Sequence, residues 1–257
     1  MSYMHSDGSN DELWDEHKWE SHLNEVEKKS DQLRKFISSD PKGNIPRWVT
    51  LLKESLSEDD AFEAYVEEEL LLDEAYFPED EDWDDEDDFD DEDDFLFGYD
   101  DDLSEFDESD DFDEGEEWKS LSEDFAVSDY GSLDNLLIYN QAKQLAVDVL
   151  RWAESIPAKS QSKVYQEYVG EALKIGAKLA GGYSFGFEAD YLGANIAYTK
   201  KALACANLCL ALLPSMKGQS FISKKDYQEF HSRFFELRND IGVYVQELRD
   251  RFNNQVN

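Results

Sequence analysis

Carboxylates and aromatic rings, rather than nucleophiles, are what this sequence offers for chemistry. Between residues 79 and 117, twenty-six of thirty-nine positions are Asp or Glu, and none is Lys, Arg or His. Rings punctuate the run at Trp83, Phe89, Phe95, Phe97, Tyr99, Phe106 and Phe112, with Trp118 at its exit. Trp83, Phe89 and Phe95 recur every six residues, and so do Phe106, Phe112 and Trp118. The chemistry this pattern supports is recognition. The charges steer a basic partner, and the rings supply buried area once it arrives. The plainer reading is a solvated, disordered linker, extended by self-repulsion, that keeps the chain soluble. A solubilising tail has no need of rings, so the eight aromatics are the candidate partner-binding residues. Docking of the same rings onto the chain's own C-terminal part is open on this pattern. Its composition also has the character of an amphipathic activation-type segment.

Other chemistry finds little support. Carboxylate-bridged metal bundles use Glu-x-x-His on paired helices, and that spacing does not occur. His231 stands alone in the C-terminal part, and His17 and His22 are not four apart. Cys205 and Cys209 are, but zinc needs two further ligands that nothing obvious supplies, so burial as small apolar residues is expected. Gly98 and Gly115 miss the glycine position of a calcium loop. No nucleophile elbow is present. The stretch Gly181–Gly186 lacks the lysine of a phosphate loop and reads as a tight connection between helices. The expectation is therefore no catalytic residue, no metal and no cofactor.

Charge divides the chain. Its net charge of −38 lies wholly in residues 1–117, because residues 118–257 hold sixteen basic and sixteen acidic side chains. Such asymmetry marks an acidic interaction segment beside an ordinary folded part. Direct nucleic-acid binding needs clustered cations, and the only clusters are short, such as Lys200-Lys201 and Lys224-Lys225. A polyanion can instead mask a basic surface that meets nucleic acid. Two cysteines at helical spacing suggest a reducing compartment. The N-terminus shows no basic and apolar leader pattern. The longest apolar run, Ala202–Leu213, is shorter than the roughly 20 residues of a membrane span. A soluble, cytoplasmic chain is expected.

The positioning elements are helices. Residues 1–9 read as a tail, 10–77 as an N-terminal helical segment, 78–131 as the acidic linker and 132–254 as a four-helix bundle. In the N-terminal segment, Trp19, Leu23, Val26, Ser30, Leu33 and Ile37 share one face at steps of four and three. Asp40-Pro41-Lys42-Gly43 ends that helix. A second starts near Pro46 with Trp48, Leu51, Leu52 and Leu56 on its apolar side. Ser57 and Asp60 resemble a capping box before a third near 58–76, which offers Phe62, Tyr65, Val66, Leu70 and Tyr76.

Four heptad-like patterns follow. Their faces are Ile138, Ala142, Leu145, Val149, Trp152, Ile156; then Tyr165, Tyr168, Ala172, Ile175, Leu179; then Leu192, Ile196, Thr199, Leu203, Ala206, Leu210, Leu213; then Tyr227, Phe230, Phe234, Leu237, Ile241, Tyr244, Leu248. Breaks fall at Pro157, Gly181-Gly182 and Pro214. These features predict an all-α fold: an antiparallel four-helix bundle with the N-terminal helices packed on it and the acidic run inserted between. The third bundle helix is apolar nearly all round over 202–213, so its outer side needs a cover. The N-terminal helices are the favoured cover, and a homodimer through that face is the second.

These features favour a non-enzymatic interaction or regulatory protein that presents the acidic segment to a basic protein surface or masks a nucleic-acid-binding one. The alternative is a small helical-bundle enzyme or ligand-binding protein with the acidic run as a linker only.

Overall fold

A computed structural model describes residues 14–37, 45–74, 127–128, 131–157 and 162–256. Helix α1 spans Glu16–Ile37. The Asp15 carboxylate opens it by accepting from the backbone N–H groups of His17 and Lys18 at 3.1 and 2.9 Å. That satisfies amides with no partner inside the helix and sets a negative charge at the positive end of its dipole. Trp19, Leu23, Val26 and Ser30 are buried as the spacing predicts. The side chains of Leu33 and Ile37 lie outside the described residues.

Helix α2, Arg47–Glu54, has Pro46 as its N-cap, where the missing N–H costs nothing. It buries Trp48 and Leu51. Leu56, assigned to this apolar side from sequence, is fully exposed. The helix ends two residues earlier, so Leu56 sits in the turn. Helix α3 spans Glu58–Glu74. The Ser57 hydroxyl accepts from the Asp60 amide at 3.2 Å and donates to the Asp60 carboxylate at 2.8 Å, a variant of the expected box. Tyr76 falls outside the described residues.

The C-terminal helices are α4 (Leu137–Glu154), α5 (Lys163–Ser184), α6 (Ala189–Met216) and α7 (Lys224–Val256). Helix α4 packs on α5, α5 on α6, α6 on α7, and α7 returns to α4. All the seam residues expected on α4 and α5 are buried. On α6 and α7, Leu203, Leu210, Tyr227 and Tyr244 are only half-buried. Trp152 gathers Tyr165, Tyr168 and Phe230 with ring centroids 5.5–6.0 Å away, in tilted or edge-on arrangements. Tilted and edge-on geometries suit the ring quadrupoles.

Helices α2 and α3 join the same core through Trp48, Leu51, Phe62, Tyr65 and Val66. Phe62, with no exposed surface, lies against Gly176 of α5, where an added methyl would collide with its ring. The glycine is the seat into which α3 inserts. The described residues form an all-α fold with a tightly packed C-terminal helical core and the N-terminal helices packed against it. The exception is a two-residue antiparallel ladder pairing Val127 with Ser132 and Ser128 with Gly131.

Three expectations change. Gly181 and Gly182 do not form a connection: they are buried inside the last turn of α5. They are glycines because α6 crosses there. A methyl on Gly181 would lie 3.0 Å from the Tyr198 ring, and one on Gly182 would lie 3.2 Å from the Asn195 carbonyl. The turn falls later, with Gly186 at φ +78°. Pro214 does not end α6, which continues to Met216. The cover on α6 is also partial. Helix α1 packs over Ala194, Ala197 and Tyr198, while Ala204, Leu208 and Ala211 are exposed. By length and composition alone α6 is long and apolar enough to cross a membrane, as the core helix of a soluble protein can also be. Here it lies packed against α1, α5 and α7.

Phe62→Ala is expected to lower unfolding stability by about 3–5 kcal/mol, the range for deleting a buried ring. Gly176→Val is expected to destabilise as well, because it denies the ring its seat. Urea midpoints check both, and a loss below about 1 kcal/mol for Phe62→Ala would contradict a shared core.

Candidate functional site

The eight candidate rings, Trp83, Phe89, Phe95, Phe97, Tyr99, Phe106, Phe112 and Trp118, lie outside the described residues. The structure places the two flanks of their segment. On one flank, Ser30 donates to the Leu72 carbonyl at 3.2 Å, and Leu70 lies against Gly181. On the other, the Tyr183 hydroxyl donates to the Gly131 carbonyl at 2.8 Å. Gly181 and Tyr183 belong to one turn of α5. The described residues on the two flanks therefore reach the same end of that helix.

Charge is paired across the junction between the N-terminal helices and the bundle. Arg249 of α7 grips Glu16 of α1 with two hydrogen bonds, at 2.7 and 2.6 Å. Lys200 of α6 donates to Glu20 at 2.6 Å and to Glu16 at 3.4 Å. Lys201 donates to Glu27 at 2.7 Å and to Asn24 at 2.9 Å. Glu63 and Glu58 of α3 meet Lys143 and Arg151 of α4 at 2.6 and 3.7 Å. Deeper, Lys178 lies 3.9 Å from Glu27 and 4.0 Å from Glu69.

These pairs differ in weight. An exposed pair contributes little, whereas a two-pronged Arg–carboxylate contact fixes geometry as well as energy. Lys178 and Glu69 have side chains only 4% and 5% exposed. Such burial costs desolvation that the attraction only offsets. The pair's effect is on how α3 sits, since a shifted helix would strand a buried charge. In the sequence Lys200-Lys201 is only a short basic cluster. A signal for its partners was present: Glu16, Glu20 and Glu27 fall within about 40° on a helix of 3.6 residues per turn.

Arg249's hydrogen bonds hold the Glu16 carboxyl below the usual carboxylate range against the opposing effect of burial, and Lys200 adds to the shift. For Glu27, burial pushes upward, but the Lys201 hydrogen bond and the charges of Lys201, Lys178 and Lys174 outweigh it, and the carboxyl is lowered. Burial lowers the His22 imidazole, which packs edge-on to Trp14 and Trp19 at 5.7 and 6.1 Å.

The described residues contain no group of three metal-ligating side chains. Both cysteines are free. Burial pushes the Cys205 and Cys209 thiols up, away from the reactive thiolate. The Cys209 Sγ points to the Tyr168 carbonyl at 3.8 Å. His231 stacks on Tyr227 at 6.2 Å. A cleft of about 460 Å³ opens between the start of α5 and the α6–α7 turn, with Ser162, Ser215, Gln219 and Ser220 as its polar lining beside Val164, Met216 and Phe221. Its lining offers hydroxyls and an amide but no group that titrates near neutrality.

The pH dependence of α1 follows from these shifts. His22 titrates lower when folded, so the contribution of its neutral form is present at pH 7 and is lost as pH falls below 6.5. Glu16 and Glu27 are also lowered, so their contribution is present above 4.5 and is lost as pH falls through their folded values. Docking of α1, followed by the Trp19 indole signal in NMR, is expected to weaken in two steps. His22→Gln flattens the upper step and Glu16→Gln reduces the lower. A pH-independent signal down to about pH 3, below the ordinary carboxylate range, would contradict the assignment.

No family model matches the chain, and no curated protein or solved structure is significantly similar to it.

Proposed function

We propose that this chain is a non-enzymatic interaction or regulatory protein. Its helical part is a scaffold that presents the acidic segment 79–117 to a basic partner or uses it to mask a nucleic-acid-binding surface. Within this reading the four C-terminal helices are an antiparallel four-helix bundle, the N-terminal helices pack on it, and the acidic run is an insertion. The partner is a basic protein surface rather than nucleic acid or a membrane, in a cytoplasmic setting. Ala204, Leu208 and Ala211 on the 202–213 face are where a second copy would sit.

The observation that carries the reading is the distribution of carboxylates. Those of α1 and α3 include Glu16, Glu20, Glu27, Glu58, Glu63 and Glu69, which face cations of the bundle. The twenty-six in 79–117 have no cation in their own segment, and residues 118–257 hold equal numbers of basic and acidic side chains. Such an excess attracts basic proteins at long range, and the rings give the encounter something to bury. The cleft near Ser162 is what would favour the alternative, a ligand-binding or enzymatic bundle.

Affinity capture from native lysate, with the full chain and with 79–117 deleted, tests the proposal. Raising ionic strength from about 0.1 M to about 1 M shortens electrostatic screening from about 10 Å to about 3 Å, and the partner is expected to be lost. Deletion is expected to lose it as well. Replacing Trp83, Phe89, Phe95, Phe106, Phe112 and Trp118 by Ser keeps the charge and is expected to weaken capture at both salts. A partner retained after deletion and at high salt would move the function to the helices.

A further inference from the structure

The seat of α1 on α6 differs from the seats of α2 and α3. Trp48 and Phe62 insert into the large core shared with α4, α5 and α7. Trp19 and Leu23 instead form a separate cluster with Ala194, Ala197 and Tyr198, bordered by Trp14 and Phe185. Gly193 lets the first turn of α1 come close: a methyl there would collide with the Trp14 carbonyl and lie 2.9 Å from the Trp19 ring. Gly193, Ala194 and Ala197 thus make a groove floor on α6 together with Tyr198, and Lys200, Lys201 and Arg249 make its rim. Each rim cation is met by a carboxylate of α1, from Glu16, Glu20 or Glu27. The occupant is an amphipathic helix with rings and aliphatics below and acids at its edges.

We infer that this groove is an exchangeable docking site for acidic amphipathic helices, with α1 as its resident in cis. A partner helix with the spacing of Trp19, Leu23 and Val26, flanked by carboxylates spaced as Glu16, Glu20 and Glu27 are, takes the place of α1 in trans. Two properties support exchange. The apolar cluster under α1 is separate from the main core. The Glu20–Lys200 and Glu27–Lys201 pairs leave their carboxylates 39% and 46% exposed, and salt and competing charge weaken such pairs. The inference is independent of the acidic segment and of the function proposed for it.

The test uses a fluorescent peptide of residues 14–37 and the full-length chain. The wild-type chain is expected to bind the peptide weakly, because α1 holds the groove. The variant E16K/E20K/E27K frees it and is expected to bind at least about tenfold tighter, since apparent affinity scales with the fraction of chains whose groove is open. Adding K200E/K201E to that variant abolishes the gain. A scrambled peptide of the same composition binds neither chain. Equal binding of native and scrambled peptides, or no gain in the triple variant, overturns the proposal. Hydrogen exchange of the wild-type chain decides even where the variant does not fold. Amides of α1 are expected to exchange before those of α4–α7, and faster as salt rises. Exchange of α1 only together with α4–α7, in one global event, would also overturn it.

Discussion

A helix as apolar as α6 needs cover, and the first half of α6 imposes that demand on the rest of the molecule. Its first half is buried by α1, α5 and α7 together. The requirement explains why the chain carries helices before the acidic run as well as after it. Without α1, Ala194, Ala197 and Tyr198 would face water. The cost of leaving such area exposed is about 25 cal/mol for each Å², which is enough to matter against the few kcal/mol by which domains are stable.

Much of this arrangement was legible in the sequence, because burial follows helical spacing. The faces of α4 and α5 and the first four members of the α1 face came from steps of three and four alone. The misreadings share one physical origin. A glycine pair can mean a turn or a close helix crossing, and sequence cannot tell which without knowing what approaches. Asn195 and Tyr198 of α6 approach Gly181 and Gly182, and no local pattern on α5 announces them. Leu56 failed for a related reason: the end of α2 was placed too late, so a turn residue was given a buried role. The rings of the acidic run obey neither period. Their six-residue spacing is visible, but it names no neighbour.

The ionic junction was invisible for a different reason. Lys200, Lys201 and Arg249 are ordinary surface residues on their own helices and became a rim only when α1 lay across them. Glu16 touches two of those cations from two helices, at 3.4 Å from Lys200 and through both of its oxygens to Arg249. Non-local pairs of this kind sit some 180 to 230 positions apart along the chain. The balance of charge within residues 118–257 therefore hides a local division. Cations of the bundle face the N-terminal helices, and those helices supply the counter-charge.

The two flanks of the acidic run, held at Gly181 and Tyr183 of one turn of α5, also bear on how this protein can change over time. Leu70 before the run and Gly131 after it both contact that turn, so the length of the connection is a weak constraint. Doubling its length costs only about 0.6 kcal/mol in closure entropy. Carboxylates and rings can be gained, lost or duplicated in that stretch without repositioning a single helix. The scaffold then evolves under the constraints of packing, and the acidic stretch under those of composition.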